Sequence, residues 1–327
     1  MKNRTLGKNG FEISEVGLGC WQIGSDWGNQ ISKEKAFEIF NKAADNGITF
    51  FDTADVYGSG RSEELIGEFL KSSDADIKVA TKFGRTANVF PDHYTEQVLN
   101  DCVDDSLKRL QVDCIDLLQL HCIPIEVLMQ GEIFAWLENL KQQGKIAHFG
   151  ASVESVEQGL VCLEQEGLQS LQIIYNIFRQ KLTDDLLPQA KEKGVGLIVR
   201  LPLASGLLTG KFNKETQFLE SDHRNYNRDG AVFNTGETFA GLPFEVGVEL
   251  ADELKAFCPE GMSMTQMALR WILDHQEVST IIPGASSTKH VYENAKASDL
   301  APLPDQLMTD LKSFYQANIH DHIRGVY

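Results

Sequence analysis

Three short apolar runs in this chain each end on a polar residue that can take part in proton transfer. Phe50 to Gly60 reads FFDTADVYGSG, closing its apolar part on Asp52 and placing Tyr57 five residues later. Ile77 to Lys82 (IKVATK) ends in a lysine, and Ile115 to His121 (IDLLQLH) ends in a histidine. If the three runs are parallel strands of a β/α barrel, their C-terminal ends surround one mouth, and Asp52, Lys82 and His121 converge there with Tyr57 just above them. A carboxylate, an ammonium, an imidazole and a phenol in one pocket suit proton transfer to a carbonyl oxygen.

The elements that must position these groups recur along the chain. Strand-like runs span Val16 to Trp21, Phe50 to Asp55, Ile77 to Lys82, Cys114 to His121, Ile146 to Ser152, Leu171 to Asn176, Gly196 to Pro202 and Thr280 to Gly284. The segments between them carry apolar residues at helical spacing, as in Ala36, Ile39, Phe40 and Ala43. Ser32 stands before one expected helix, which Asn46-Gly47 ends, and Ser62 before another. Strict β/α alternation with continuous apolar strands predicts a parallel sheet covered by helices, and eight strands predict its closure into a (β/α)8 TIM barrel. The doubly wound alternative usually opens on a Gly-rich phosphate turn, whereas the first strand here reads GLGCWQIG and lacks G-x-G-x-x-G. Arg4 to Ile13, with Asn9-Gly10 between apolar positions, reads as an N-terminal β-hairpin able to plug the barrel bottom. Lys211 to Pro243 is a long polar stretch expected over the mouth, and Asp305 to Asn318 reads as an extra C-terminal helix.

No linker or low-complexity tract divides the 327 residues, so one domain over 1–327 is the simpler reading. The formal charge of −17 disfavours nucleic-acid and membrane-surface partners, and an anionic ligand must find a local basic pocket. The six cysteines form no C-x-x-C pair, which suits a reducing compartment; with no signal-peptide core and no membrane-length apolar run, a cytoplasmic location is expected. His93, His148, His223, His275, His320 and His322 have no carboxylate at a convincing metal spacing, so no metal is assigned. Cys122, beside His121, reads as a packing residue before it reads as a reactive thiol. Taken singly, Asp52, Tyr57, Lys82 and His121 also have ordinary structural explanations; it is the set that favours chemistry.

FDTADVYGSGRSEELIGEFL, KVATKFG, DLLQLH, PLASGLLTGK and IPGASSTKHVYENAKA, in this order and spacing, resemble the aldo-keto reductases over nearly the whole chain. Within that family the chain is similar to bacterial oxidoreductases related to the potassium-channel β subunits. The resemblance implies that Tyr57 is the general acid, that Lys82 and Asp52 form the ion pair beside it, and that His121 orients the substrate carbonyl. A free tyrosine titrates near about 10, so the adjacent ammonium is expected to make the phenol a better proton donor. His121, if neutral, can share the carbonyl oxygen with Tyr57. The hydride must come from a nicotinamide cofactor, because no side chain can deliver one.

The resemblance also implies a cofactor site. Ser152 and Gln172 match the residues that hydrogen-bond the carboxamide, although Val153 replaces the usual asparagine. Arg200 stands where many relatives stack an aromatic ring on the nicotinamide, and a planar guanidinium can stack there too. Pro202 to Lys211 matches the pyrophosphate loop, with Pro202, Ser205, Leu207 and Lys211 as contacts. Gly284, Ser286, His290, Glu293 and Asn294 match the adenosine end. NADP(H) is expected, with NAD(H) possible, because Ser286 replaces the arginine or lysine that often faces the 2′-phosphate, leaving Lys211 and Lys289 as nearby cations. Substrate specificity is placed in Trp21, Trp27, Phe83 and the long loop around Tyr226. The expected activity is reduction of aldehydes or ketones to alcohols, or the reverse, on a small-molecule partner. Two rivals remain: a cofactor-binding sensor with slow incidental turnover, and a barrel enzyme such as a lyase that uses no nicotinamide.

Overall fold

The computed structural model describes residues 1–24 and 30–327. It opens with strands β1 (Asn3–Thr5) and β2 (Glu12–Ser14), paired antiparallel with Arg4 opposite Ile13. Eight parallel strands follow: β3 (Leu18–Gly19), β4 (Phe50–Asp52), β5 (Lys78–Phe83), β6 (Ile115–His121), β7 (Ile146–Ser152), β8 (Leu168–Ile174), β9 (Gly196–Arg200) and β10 (Val278–Ile281). Neighbours in the sheet are neighbours in the chain. Parallel bridges from Val16 to Ile281 and from Gly19 to Gly284 join the two ends, with Gly17 N–H donating to Ile281 O at 2.8 Å, so the sheet closes as a (β/α)8 barrel.

The eight runs read from the sequence correspond to these strands with small shifts at their ends. One of them is in β8, which starts at Leu168 instead of Leu171. Its polar start is explained by Gln169, whose Nε2 donates to Leu6 O at 2.6 Å and ties the hairpin to the barrel. Leu6 and Ile13 of that hairpin are buried with Phe50, Ala80, Leu117, Ile198 and Ile282, and Phe11 packs beside them, so the bottom of the barrel is stoppered. A second, larger core lies between the strands and the helices, with Phe40 5.4 Å from Phe51 and 5.3 Å from Phe69, centroid to centroid.

The expected helix starts hold once and fail once. Ser32 caps the helix Lys33–Asp45, accepting from Lys35 N–H at 3.2 Å. Ser62 does not cap: its helix spans Arg61–Ser72, and the buried hydroxyl donates to Cys20 O at 3.1 Å while accepting from Thr53 Oγ1 at 2.8 Å. The long stretch over the mouth is not a plain loop, since it contains the helical turn His223–Tyr226 and the 3-10 turns Thr235–Glu237 and Phe239–Gly241. The added helix spans Asp305–Phe314 and continues through a π turn, Tyr315–Ile319. Among the described residues no helix is long and apolar enough to cross a membrane.

Candidate active site

Side chains alternate along a strand, so Leu117, Gln119 and His121 of β6 point into the barrel while Leu118 and Leu120 join the outer core. The same alternation sends Asp52 of β4 and Lys82 of β5 inward. Lys82, with no exposed side-chain surface, donates from Nζ to Asp52 Oδ1 at 2.5 Å, to Thr53 O at 2.6 Å and to Tyr57 OH at 3.2 Å. An ammonium has three N–H donors, and these contacts use all of them. Burial opposes the charge, but the Asp52 carboxylate and the phenol hold the Lys82 pKa above its ordinary value. Asp52 is held in turn, its Oδ2 accepting from Gln172 Nε2 at 2.6 Å and from Gln119 Nε2 at 3.1 Å.

Tyr57 reaches this group from the turn after β4. Gly58, Ser59 and Gly60 all have positive φ (64°, 53° and 96°), and a Cβ on Gly58 would meet Gly24 O at 2.3 Å. The YGSG stretch therefore folds the chain back tightly behind the phenol. Its pKa is pushed up to about 12 by burial, which outweighs the Lys82 charge acting in the opposite direction. The ammonium thus acts in the expected direction, and the net rise comes from removing the phenol from water along with its partner. The His121 ring lies edge-on to the Tyr57 ring, with centroids 6.0 Å apart. Burial, with the charges of Lys82, Arg85 and Arg200, drives the His121 pKa well below its ordinary value, so the imidazole is neutral.

Two ion pairs that sequence reasoning missed lie where the chain leaves β5, β7 and β9. Arg85 meets Glu154 at 2.8 Å and donates from Nε to His121 O at 3.2 Å. Arg200 meets Glu237 at 3.3 Å, and its Nη2 lies 3.5 Å from Cys122 Sγ and 3.4 Å from Val153 O. Cys122, Glu154 and Glu237 bring donor atoms within 4.8 Å of one another. Both carboxylates are already paired to guanidinium groups, so the cluster reads as a neutralised ion network.

The residues placed at the cofactor site divide by burial. Ser152 and Gln172 are buried at adjoining strand ends, and Ser152 Oγ donates to Gln172 Oε1 at 3.4 Å. Pro202 and Leu207 are buried, and Ser205 Oγ donates to Glu237 O at 3.2 Å while accepting from Phe239 N–H at 3.1 Å. Leu201, Ala204 and Ser205 have φ of 52°, 47° and 55°, so the chain curls left-handedly as it leaves β9. Lys211, Gly284, Ser286, Lys289 and His290 are exposed. Ser286 Oγ and His290 Nδ1 lie 3.3 Å apart, Lys289 and Glu293 3.7 Å apart, and Asn294 Nδ2 donates to Gly284 O at 3.4 Å.

Of the four residues assigned to substrate contact, the structure brings two together. Trp21 stacks near Tyr57, with centroids 6.1 Å apart, and meets His223 at 4.9 Å and Phe233 at 6.1 Å. Tyr226 joins through Phe233, at 6.2 Å. Phe83 is a correction: it follows Lys82 on the same strand, so its side chain points outward, where it is buried against Tyr94. Trp27 lies outside the described residues.

A family model described as aldo/keto reductase matches residues 15–316. The chain belongs to the aldo-keto reductase family. Among curated relatives, the uncharacterized oxidoreductase YqkF of Bacillus subtilis is 29% identical over 98% of both chains. The aldo-keto reductase YhdN of the same organism is 31% identical over 87% of this chain and 85% of its own. The holo form of the aldo-keto reductase AKR11C1 from Bacillus halodurans superposes with a TM-score of 0.78 at 27% identity, covering 100% of this chain and 98% of the other. The chain is thus an oxidoreductase of this family.

Proposed function

We propose that the protein reduces aldehydes or ketones to alcohols, or runs the reverse reaction, with NADP(H) and with Tyr57 as general acid. One observation carries this reading: the buried Lys82 ammonium touches both the Tyr57 hydroxyl, at 3.2 Å, and the Asp52 carboxylate, at 2.5 Å. A phenol with a pKa of about 12 holds its proton at neutral pH and releases it to an oxygen that is becoming an alkoxide, a stronger base. Lys82 then balances the phenolate, and neutral His121 can donate to the same oxygen.

Two unpartnered groups support binding of a nicotinamide dinucleotide. Buried Arg200 Nε and His121 Nδ1 have no hydrogen-bond partner among the described residues, so each keeps a bonding capacity that the protein itself does not use. Ser152 and Gln172 would hold the carboxamide, Arg200 the face of the ring, the Pro202–Lys211 curl the pyrophosphate, and Glu293 and Asn294 the adenine. Bound there, the cofactor supplies or takes up the hydride.

Tyr57→Phe tests the assignment. It removes one hydroxyl, so dinucleotide affinity should be retained while kcat falls by about 10² to 10⁴. Near-wild-type kcat on the best carbonyl would overturn the role of Tyr57.

A further inference from the structure

Residues 323–327 return to the connections that follow β8 and β9. Arg324 is bonded at every side-chain nitrogen to the stretch between β9 and the helix Phe244–Leu254. Its Nη1 donates to Asp229 Oδ1 at 2.7 Å, Nη2 to Arg228 O at 3.1 Å and Leu242 O at 3.3 Å, and Nε to Gly241 O at 3.1 Å. A single side chain therefore ties both ends of residues 228–242. Arg179, 1% exposed, reinforces the tie from the barrel side, donating to Ala240 O at 3.3 Å and Val326 O at 2.5 Å with its guanidinium 4.2 Å from the Tyr327 ring centroid.

The backbone between these ties is one that would not persist unaided. Phe239 and Ala240 have φ of 54° and 58°, a left-handed conformation that is unfavourable for any residue with a Cβ. The adjoining glycines press directly on the ties. A Cβ on Gly241 would meet Arg324 O at 2.7 Å, and one on Gly236 would meet Arg179 Nη1 at 2.8 Å. The far side of the same turn faces the pocket: Glu237 pairs with Arg200, and Ser205 Oγ bonds both Glu237 O and Phe239 N–H.

We infer that Arg324 and Arg179 are positioning residues for the dinucleotide pocket, and that residues 323–327 form a clasp fixing the turn 236–241 and, through it, Arg200 and Ser205. This rests on the proposed reading of Arg200 and Ser205 as cofactor contacts. Arg324 touches neither reacting atoms nor the pocket. Its effect appears in how long the nicotinamide end stays bound.

The test is the NADPH dissociation rate of the full-length protein, followed by stopped-flow fluorescence, in wild type, Arg324→Ala, Arg324→Lys and Asp229→Ala. Loss of the four side-chain hydrogen bonds of Arg324 should speed dissociation by about tenfold or more. Lysine keeps the charge without the fork and should fall between. Asp229→Ala removes one exposed contact, is well tolerated by the fold, and should speed release by about twofold to fivefold. Amide exchange across 228–242 should quicken in the same order. Affinity for adenosine 2′,5′-bisphosphate, which reaches only the Ser286–Asn294 end, should stay constant. Equal NADPH release in wild type and Arg324→Ala, or an equal loss of bisphosphate affinity, would overturn the clasp alone. Wild type that binds no NADPH would overturn the cofactor reading and the clasp with it.

Discussion

On one side of the mouth, Asp52, Lys82, Gln119 and Gln172 are buried and bonded to one another before any ligand arrives. On the other, Lys211, Ser286, Lys289 and His290 stand exposed. The difference fits the roles proposed for each half. Groups that stabilise charge appearing during a reaction are most effective when desolvated and already oriented, because nothing then has to reorganise as the charge develops. Groups that hold a phosphate can remain in water, since the ligand brings its own permanent charge and pays for the ordering itself.

Lys82→Met is the severest way to break the contrast. Activity should fall at least as far as in Tyr57→Phe, by about 10² to 10⁴, and stability by about 3–5 kcal/mol because Asp52 is left as an unpaired buried carboxylate. Urea unfolding beside steady-state kinetics checks both, and a variant as stable as wild type would show that the ordered half is not held by its ion pair. Gln119→Leu removes one of the three side-chain donors to Asp52 and should cost about 1–3 kcal/mol with a smaller loss of kcat.

The open half should respond more gently. With serine at 286, NADP should bind more tightly than NAD by about 1–2 kcal/mol, or roughly 5 to 30 fold, and titrations of both at one ionic strength decide it. Equal or reversed affinities would remove the NADP preference and leave the hydride chemistry standing. The smallest effect is in pH. Partial desolvation of the otherwise exposed ring, with Lys211 and Lys289 nearby, lowers the His290 pKa in the free protein despite Glu293. A 2′-phosphate favours the protonated ring, so binding takes up a proton, and NADP affinity should improve by a few fold as pH drops from about 8 to about 6.5 while NAD affinity stays flat. A dependence that persists in His290→Gln would assign it elsewhere.

The ordered half was the more legible in sequence, and for the same reason that it is ordered. Asp52, Lys82 and His121 close apolar runs, so one rule about strand ends gathers them. Alternation along IDLLQLH also marks Gln119 as facing inward, but a glutamine reads as a solvated residue unless its facing carboxylate is known. The same rule, applied one residue past Lys82, would have sent Phe83 outward. Arg85, Glu154 and Glu237 come from three separate connections, and no spacing in the chain announces their meeting. The net rise in the Tyr57 pKa was equally hidden, because sequence identifies the neighbouring ammonium but not how thoroughly water is excluded around it.

The stopper formed by Leu6 and Ile13 makes the barrel a cup, with a single rim. Whatever arrives at Tyr57 must depart across the same rim, so any molecules that meet there form a queue. A dead-end vessel of this kind enforces an order of arrival and departure by geometry alone, and a ligand lodged near the rim detains everything beneath it.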